Sequence, residues 1–167
     1  MPSQDDEDRF ESVTLLECNI DDMTGEALAH VRDRLLEQGA LDAWLTPIAM
    51  KKGRPGTLVS ALCRPADAEA LRTLLLRETT TLGVRWHALE REIAHRRWVT
   101  VDTRWGPVRV KLKILDGRVA GAKPEYEDCA RLADEQGLPL PDVQREALRR
   151  AEDEGVLGGD QAPPGSV

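Results

Sequence analysis

The sequence is poor in aromatic residues, in cysteine and in long apolar runs. Four Trp, one Tyr and one Phe occur in 167 residues, so a core must rest mainly on Leu, Val, Ile and Ala. Cys18, Cys63 and Cys129 are far apart and lack metal-binding spacing, which argues against a disulfide framework or zinc site and favours reduced cytoplasmic thiols. No apolar run approaches the ~20 residues of a membrane span, and the acidic N-terminus does not resemble a signal peptide. We therefore expect a cytoplasmic protein without a membrane partner.

The charge is negative overall but unevenly distributed. The formal net charge of −7 argues against a nucleic-acid partner, because phosphate backbones require a basic surface. Between Ile48 and Arg64, however, every charged residue is basic. A basic segment in an acidic protein suggests a small anion more than a polymer.

The order of predicted elements indicates an α+β fold. Strands are predicted at 13–20, 41–50, 57–63 and 84–95, with a bulge near Leu89, and helices at 25–38 and from Pro65 to about Thr79. Thr24 is the predicted N-cap of the first helix. The resulting β-α-β-β-α-β order predicts a ferredoxin-like antiparallel sheet with two helices on one face.

An appendage is predicted after this domain. Alternating residues favour a β-hairpin of strands 98–103 and 108–115, and Pro124 and Pro141 each open a predicted helix. The predicted organisation is a disordered acidic tail at 1–12, the ferredoxin-like domain at 13–97, the hairpin with two helices at 98–157, and a disordered tail at 158–167.

The loop after the second predicted strand combines cations with glycines. Lys51, Lys52 and Arg54 alternate with Gly53 and Gly56 within six residues. Glycine lets backbone N–H groups approach an anion, and the cations neutralise it, so the loop can bind phosphate. An exposed basic hairpin loop with no ligand is the alternative.

Three threonines follow the second predicted helix. Thr79, Thr80 and Thr81 are poor helix formers, and one alone would suffice to end a helix. Their hydroxyls can line a polar pocket with Arg77 and Arg85 at its edges. The alternative is a polar helix exit.

Adjacent carboxylates lie between the first predicted strand and helix. Asp21 and Asp22 can hold a hard cation such as Mg²⁺ or Mn²⁺ together with substrate phosphates. Helix capping is the alternative, because acids favour helix N-termini, although it explains one aspartate better than two.

The only tyrosine, Tyr126, lies in the first turn of a predicted helix. It can stack on a nucleotide base, or pack in the core, which is the more common role of a tyrosine on an apolar stripe. The three histidines, His30, His87 and His95, are scattered and do not have the spacing of a nickel or zinc cage.

Four segments together resemble one family. Residues 19–26, 46–56, 77–85 and 123–129 read NIDDMTGE, TPIAMKKGRPG, RETTTLGVR and KPEYEDC. This set resembles the LarC family, the nickel-insertion proteins of the lactate racemase cofactor pathway, over about Leu15 to Ala151. Four long motifs in order are far more specific than any single loop.

The resemblance implies a function and a set of site residues. The family is a CTP-dependent nickel chelatase of the lyase class, which inserts Ni²⁺ into pyridinium bisthiocarboxylic acid mononucleotide to make the nickel-pincer nucleotide cofactor. It uses Mn²⁺ (or Mg²⁺), and its C-terminal part looks like a CTP-binding module that forms homo-oligomers. Asp21 and Asp22 are the implied metal ligands. The implied nucleotide-binding residues are Lys51, Lys52, Gly53, Arg54, Gly56, Arg77, Thr79, Thr80, Thr81, Lys123 and Tyr126.

The family's preceding N-terminal half, often with a histidine-rich tract, has no counterpart in this sequence. The chain is therefore expected to be either a truncated protein or a separate second subunit that works with an N-terminal half. A non-catalytic oligomerisation scaffold that presents this half is the alternative function. An RNA-binding ferredoxin-like domain is disfavoured by the net acidity.

Overall fold

The computed structural model describes residues 10–158 and divides the chain into two units between Glu92 and Ile93. The sequence placed this division after Arg97. The difference arises because His95, Arg96 and Arg97 pair with a strand of the second sheet. In the described part of the chain, no helix is long and apolar enough to cross a membrane.

The first unit contains four strands and two helices. They are β1 (Phe10–Ile20), α1 (Gly25–Glu37), β2 (Asp42–Ala49), β3 (Pro55–Cys63), α2 (Ala68–Glu78) and β4 (Arg85–Glu92). Short 3₁₀ turns at Lys51–Gly53 and Pro65–Asp67 precede β3 and α2. The strands lie in the order β2-β3-β1-β4, and every neighbouring pair is antiparallel.

The core of this unit lies between the sheet and the two helices. Alternate residues of β1 point to it, because successive side chains of a strand face opposite sides. Both helices contribute residues spaced three or four apart, which share one helix face. The largest of these buried side chains are Leu16, Val31, Leu35, Val59, Leu71 and Leu75.

Local signals place the first helix where the sequence predicts it. The hydroxyl of Thr24 accepts a hydrogen bond from the Ala27 N–H at 3.3 Å, which confirms Thr24 as the N-cap. Gly39 follows the helix at φ 97°, a conformation that favours glycine.

The start of one strand and a predicted bulge in the first unit differ from the prediction. Strand β1 begins at Phe10, inside the predicted acidic tail, because Phe10 to Ser12 pair with β4. The rest of the predicted tails, residues 1–9 and 159–167, lies outside the described residues. The predicted bulge near Leu89 was wrong, since the β1–β4 register runs unbroken from Phe10 opposite Glu92 to Glu17 opposite Arg85. Residues 85–90 of this edge strand are exposed, so no regular apolar alternation is imposed on them.

The second unit has a three-stranded sheet and two helices. They are β5 (His95–Thr103), β6 (Gly106–Leu115), β7 (Arg118–Pro124), α3 (Tyr126–Gln136) and α4 (Leu140–Asp153), with sheet order β5-β6-β7. The predicted hairpin was incomplete, because β7 adds a third strand. Small residues around Gly121 and the terminal Pro124 give this strand little of the usual β signal.

One face of the second sheet packs against its helices. The buried side chains Val101, Val108, Val110 and Leu112 meet Cys129, Leu132, Val143 and Ala147 in one cluster. Gly137, at φ 63°, ends α3 in the left-handed conformation typical of a helix C-terminus. The chain thus has a mixed fold of antiparallel sheets and helices.

Candidate functional site

Three of the four singled-out segments meet at one edge of the first sheet. Strand β1 ends there at Ile20, opposite Thr57 near the start of β3, and β2 ends there with Ile48 opposite Gly56. Strand β4 begins at the same edge, with Arg85 opposite Glu17. The three loops at this edge therefore carry the two aspartates, the three threonines and the basic turn, which we define as residues 50–54.

An ion pair joins the first segment to the basic turn. The Arg54 guanidinium donates from Nη1 to Asp21 Oδ2 at 3.1 Å. The Asp21 side chain is 22% exposed and that of Arg54 60%, so the pair is open to solvent on the arginine side. An exposed pair of this kind adds little stability, and its groups can exchange partners readily.

A hydrogen bond joins the first segment to the threonines. The Thr80 hydroxyl donates to Asp22 Oδ1. Because Thr24 is the N-cap of α1, the alternative that Asp21 and Asp22 serve as simple helix caps is wrong. Their contacts instead connect residues far apart in the sequence.

The backbone of the basic turn is tightly folded. The Met50 N–H donates to the Arg54 carbonyl at 2.8 Å, and Lys52 and Gly53 both adopt the left-handed region, with φ of 63° and 70°. Lys51 and Lys52 are exposed and have no ion-pair partner within residues 10–158. The turn that carries Arg54 thus also carries two lysines without an ion-pair partner among the described residues.

Gly56 belongs to strand β3 and not to the loop. A Cβ at this position would stand 2.9 Å from the Ile20 carbonyl oxygen and 2.5 Å from Met50 Sδ. This close approach accounts for the glycine by packing, so the expected approach of its backbone to an anion is not needed to explain it. At Gly53, by contrast, an added Cβ would have no other atom within 4 Å.

Two of the three threonines fit the polar helix exit, and one fits the polar pocket. The Thr79 hydroxyl donates to the Leu75 carbonyl at 2.6 Å, and the Thr81 hydroxyl donates to the Gly83 carbonyl at 2.9 Å. Both therefore stabilise the helix exit, while Thr80 alone reaches a carboxylate of another segment.

The two arginines of the third segment lie in different places. Arg77 lines a groove of about 220 Å³ with Arg34, Gln38 and Thr73, and it contacts neither Asp21 nor Arg54. Arg85 instead reaches strand β1, donating to Glu17 at 3.2 Å and to Asn19 at 2.9 Å. Sequence reasoning overlooked Glu17, although its polar side chain in a central strand could have drawn attention to it.

The thiol nearest this edge, that of Cys18, is buried. Burial raises the pKa of the Cys18 thiol, which keeps it protonated, although Thr81 and Arg85 oppose this shift.

The described residues hold no group of three or more His, Cys, Asp or Glu placed to bind a metal ion.

The fourth segment lies in the second unit. Lys123 is the penultimate residue of β7, and Tyr126 is the first residue of α3. The Tyr126 side chain is 59% exposed, so the expectation that it packs in the core was wrong. The buried stripe of α3 is formed by Cys129, Leu132 and Ala133 instead.

The fold and this sheet edge define an α+β protein that gathers carboxylates, a hydroxyl and cations at one place. Residues 2–144 match the nickel insertion protein family, and the chain belongs to this family. This confirms the resemblance drawn from the four segments.

Particular relatives sharpen the assignment to the family's C-terminal region. The chain is 40% identical to LarC2, the C-terminal domain of a cyclometallase involved in synthesis of the NPN cofactor of lactate racemase, with a TM-score of 0.82; the match covers 86% of this chain and 99% of that one. A crystallised Methanopyrus kandleri AV19 protein, 24% identical with a TM-score of 0.61 over 83% of this chain and 87% of that one, shows a similar fold only.

Longer relatives extend beyond the matched region. A Geobacillus kaustophilus (strain HTA426) protein, named as a pyridinium-3,5-bisthiocarboxylic acid mononucleotide nickel insertion protein, is 45% identical over 141 residues, which cover 84% of this chain. A Myxococcus xanthus (strain DK1622) protein, named as a candidate nickel insertion protein, is 49% identical over 138 residues, covering 83% of this chain. The matches cover 34% and 35% of these relatives, so the chain spans about a third of their length.

Proposed function

We propose that this chain is the CTP- and Mn²⁺-binding C-terminal module of a nickel insertase. The complete protein would insert Ni²⁺ into pyridinium bisthiocarboxylic acid mononucleotide and thereby make the nickel-pincer nucleotide cofactor. Family membership and the names of the relatives support this reaction. The observation that carries the nucleotide site is the pair of contacts Asp21–Arg54 and Asp22–Thr80, which gather three segments at one sheet edge.

The donor atoms at this edge suit a hard divalent cation. Two carboxylates and the Thr80 hydroxyl offer oxygen ligands, which Mn²⁺ and Mg²⁺ prefer. Such ions commonly take only one or two carboxylates from the protein and complete their shell with water and substrate phosphates. Asp21 and Asp22 would hold the ion, which when bound would neutralise part of the triphosphate charge.

Arrival of a metal-bound triphosphate permits a balanced exchange of partners. In the structure Arg54 neutralises Asp21. A phosphate oxygen can replace the carboxylate as the partner of Arg54, which frees Asp21 for the cation. Each charge keeps a counter-charge throughout, so the exchange leaves no unpaired group.

The unpaired ammonium groups of the basic turn would hold the remaining phosphate charge. Lys51 and Lys52 are exposed beside Arg54, and charged hydrogen bonds to phosphate are stronger than neutral ones. Their contribution to activation is chiefly positioning and charge neutralisation. Lys123 and Tyr126 remain predicted contacts, and Arg77 enters the proposal only through a neighbouring copy in a homo-oligomer.

Titration calorimetry with CTP and MnCl₂ tests this proposal directly. Wild type should bind CTP in a metal-dependent manner, and Lys52→Ala or Arg54→Ala should weaken binding at least about tenfold, because each removes a charged phosphate contact. Arg64→Ala is the matched control. Arg64 is one of the basic residues between Ile48 and Arg64, but it follows the end of β3 that lies away from the basic turn. Absence of CTP binding, or equal weakening by Arg64→Ala, would contradict the proposal.

A second candidate is a non-catalytic oligomerisation scaffold for an N-terminal half. Within residues 10–92 both helices pack on one face of the first sheet, and the opposite face carries the exposed apolar side chains Trp44 and Leu89 (38% and 41%). Exposed apolar surface of this kind is typical of interaction sites. In the scaffold, the basic turn would lie at a subunit interface. Light scattering of a Lys51/Lys52/Arg54 triple alanine variant therefore separates the two functions. Loss of assembly with intact CTP affinity would favour the scaffold.

We also assign the first unit to the ferredoxin-like class. The β-α-β-β-α-β element order and the antiparallel strand order β2-β3-β1-β4 support this assignment.

A further inference from the structure

The second sheet has a strongly basic face opposite its helices. Along β6, Val108, Val110 and Leu112 are buried, while Lys111 and Lys113 alternate with them and therefore point to the other side. Pairing across the strands places further residues on that same side. We call this surface the basic face, formed by Arg96, Trp98, Lys111, Lys113, Gly121 and Lys123.

The cations of this face are arranged at an energetic cost. Arg96 lies directly opposite Lys113, and Lys111 lies directly opposite Lys123. Like charges in such cross-strand positions destabilise a sheet. None of these four residues has an ion-pair partner within residues 10–158, although the whole chain has a net charge of −7. An unneutralised basic cluster in an acidic protein indicates an anionic ligand.

The basic face also offers room and an aromatic surface. The Trp98 side chain is 45% exposed, with Lys111 Nζ 5.1 Å from its ring centroid. A cavity of about 280 Å³ on this face is lined by Arg96, Lys113 and Gly121, and also by Lys111, the residue whose ammonium group contacts the Trp98 ring. A Cβ at Gly121 would meet only Lys113 Cβ, at 3.9 Å, so packing does not require the glycine. A strand glycine of this kind often marks a place where a ligand approaches the backbone.

We propose that the basic face binds the mononucleotide substrate of the proposed nickel insertion, a phosphate ester with a planar pyridinium ring. This inference rests on the proposed function. The phosphate and two thiocarboxylates are anionic groups that match the four cations. The electron-poor pyridinium ring stacks on the electron-rich indole of Trp98, as cations commonly do on tryptophan. In this arrangement Lys123 contacts the mononucleotide in place of CTP, the ligand predicted for it from the sequence.

Titration of the whole chain with nicotinic acid mononucleotide, a pyridinium mononucleotide with one carboxylate, tests the inference. Wild type should give saturable binding, and Arg96→Gln or Lys113→Gln should weaken it at least about tenfold. Arg145→Gln is the matched control, because Arg145 is an exposed arginine on α4, whose helix packs on the opposite sheet face. No saturable binding by wild type, or equal weakening by Arg145→Gln, would overturn the inference.

Two further variants separate ring recognition from simple charge attraction. Trp98→Leu should weaken nicotinic acid mononucleotide about fivefold and leave ribose 5-phosphate unchanged, because only the former has a ring to stack. Gly121→Val should weaken both ligands by filling the cavity, with little effect on the unfolding midpoint. Equal loss of both ligands in Trp98→Leu would contradict the stacking arrangement.

The same samples distinguish failure of this inference from failure of the proposed function. Binding of CTP with Mn²⁺ but not of the mononucleotide would overturn the inference alone. Binding of the mononucleotide without CTP would overturn the proposed nucleotide module and leave the basic face as a mononucleotide site. Salt-sensitive binding of a single-stranded DNA oligonucleotide, lost in Lys113→Gln, without mononucleotide binding would assign the face to nucleic acid instead.

Discussion

Individual residues at the candidate site show which roles depend on neighbours that are distant in sequence. Gly53 and Gly56 look alike in the basic loop, yet only Gly56 is enclosed by other atoms. Asp21 and Asp22 look like a helix-capping pair, yet they contact Arg54 and Thr80. The residue types could be predicted from the sequence, but the partners could not, because they depend on how three loops meet.

Gly56→Ala is predicted to destabilise the first unit. The added Cβ would approach the Ile20 carbonyl oxygen to 2.9 Å, so the backbone of β1 or β3 must shift. We expect a loss of about 1–3 kcal/mol in the free energy of unfolding, measured by urea denaturation.

Gly83→Ala is the control for this prediction, because a Cβ there meets no atom within 4 Å and its φ is not in the left-handed region. Its unfolding free energy should stay within about 0.5 kcal/mol of wild type. Equal stability of both variants would show that Gly56 is not under packing constraint.

Whole elements were predicted well where apolar periodicity was imposed by a core on one side. The first helix and the strand β6 are of this kind, since each buries one regular stripe. Strand β7 was missed because small residues surround Gly121, and the bulge at Leu89 was wrong because β4 is an exposed edge strand. Sequence periodicity is thus informative only where burial enforces it.

Leu71→Ala should destabilise the packing of α2 on the first sheet. Leu71 is fully buried among the core residues, so truncation leaves a cavity and should cost about 2–5 kcal/mol of unfolding free energy. Leu76 on the same helix is 50% exposed, and Leu76→Ala should cost far less. Similar losses in urea denaturation would contradict the orientation of α2.

A carboxylate joins helix α3 to strand β6 and should give a pH-dependent contribution to stability. Asp128 accepts hydrogen bonds from the Arg109 side chain at 2.8 and 3.2 Å and from its backbone N–H at 3.0 Å. The Arg109 side chain is the main cause that lowers the pKa of Asp128 below its ordinary value of 3.8. A lowered folded-state pKa stabilises the fold above the ordinary value, and this stabilisation is lost as pH falls through the folded value.

Asp128→Asn should therefore lower the urea midpoint at neutral pH, and its difference from wild type should shrink as pH falls below the ordinary carboxyl value of 3.8. Asp134→Asn is the control, because Asp134 is an exposed aspartate on the same helix, and it should change the urea midpoint little. An effect of Asp128→Asn that does not shrink below pH 3.8 would contradict the ionic nature of this contact.

For the molecule as a whole, the mixed α and β fold and the family could be predicted from the sequence, while the chemical roles of the four segments stay predictions. It did not predict the division between Glu92 and Ile93, because the residues around His95 have no composition that marks a linker. Arg77 was grouped with the site by its position in a motif, and the helix that carries it turns it toward α1. Motif membership thus located the candidate site but not every side chain in it.

We propose that the first sheet edge holds a metal-bound triphosphate. Anomalous diffraction at the manganese edge, from crystals grown with CTP and MnCl₂, tests it most directly. We expect a manganese peak within about 2.0–2.6 Å of an Asp21 or Asp22 oxygen, with Arg54 turned to a phosphate. A well-occupied manganese peak bound to CTP but remote from both aspartates would contradict it.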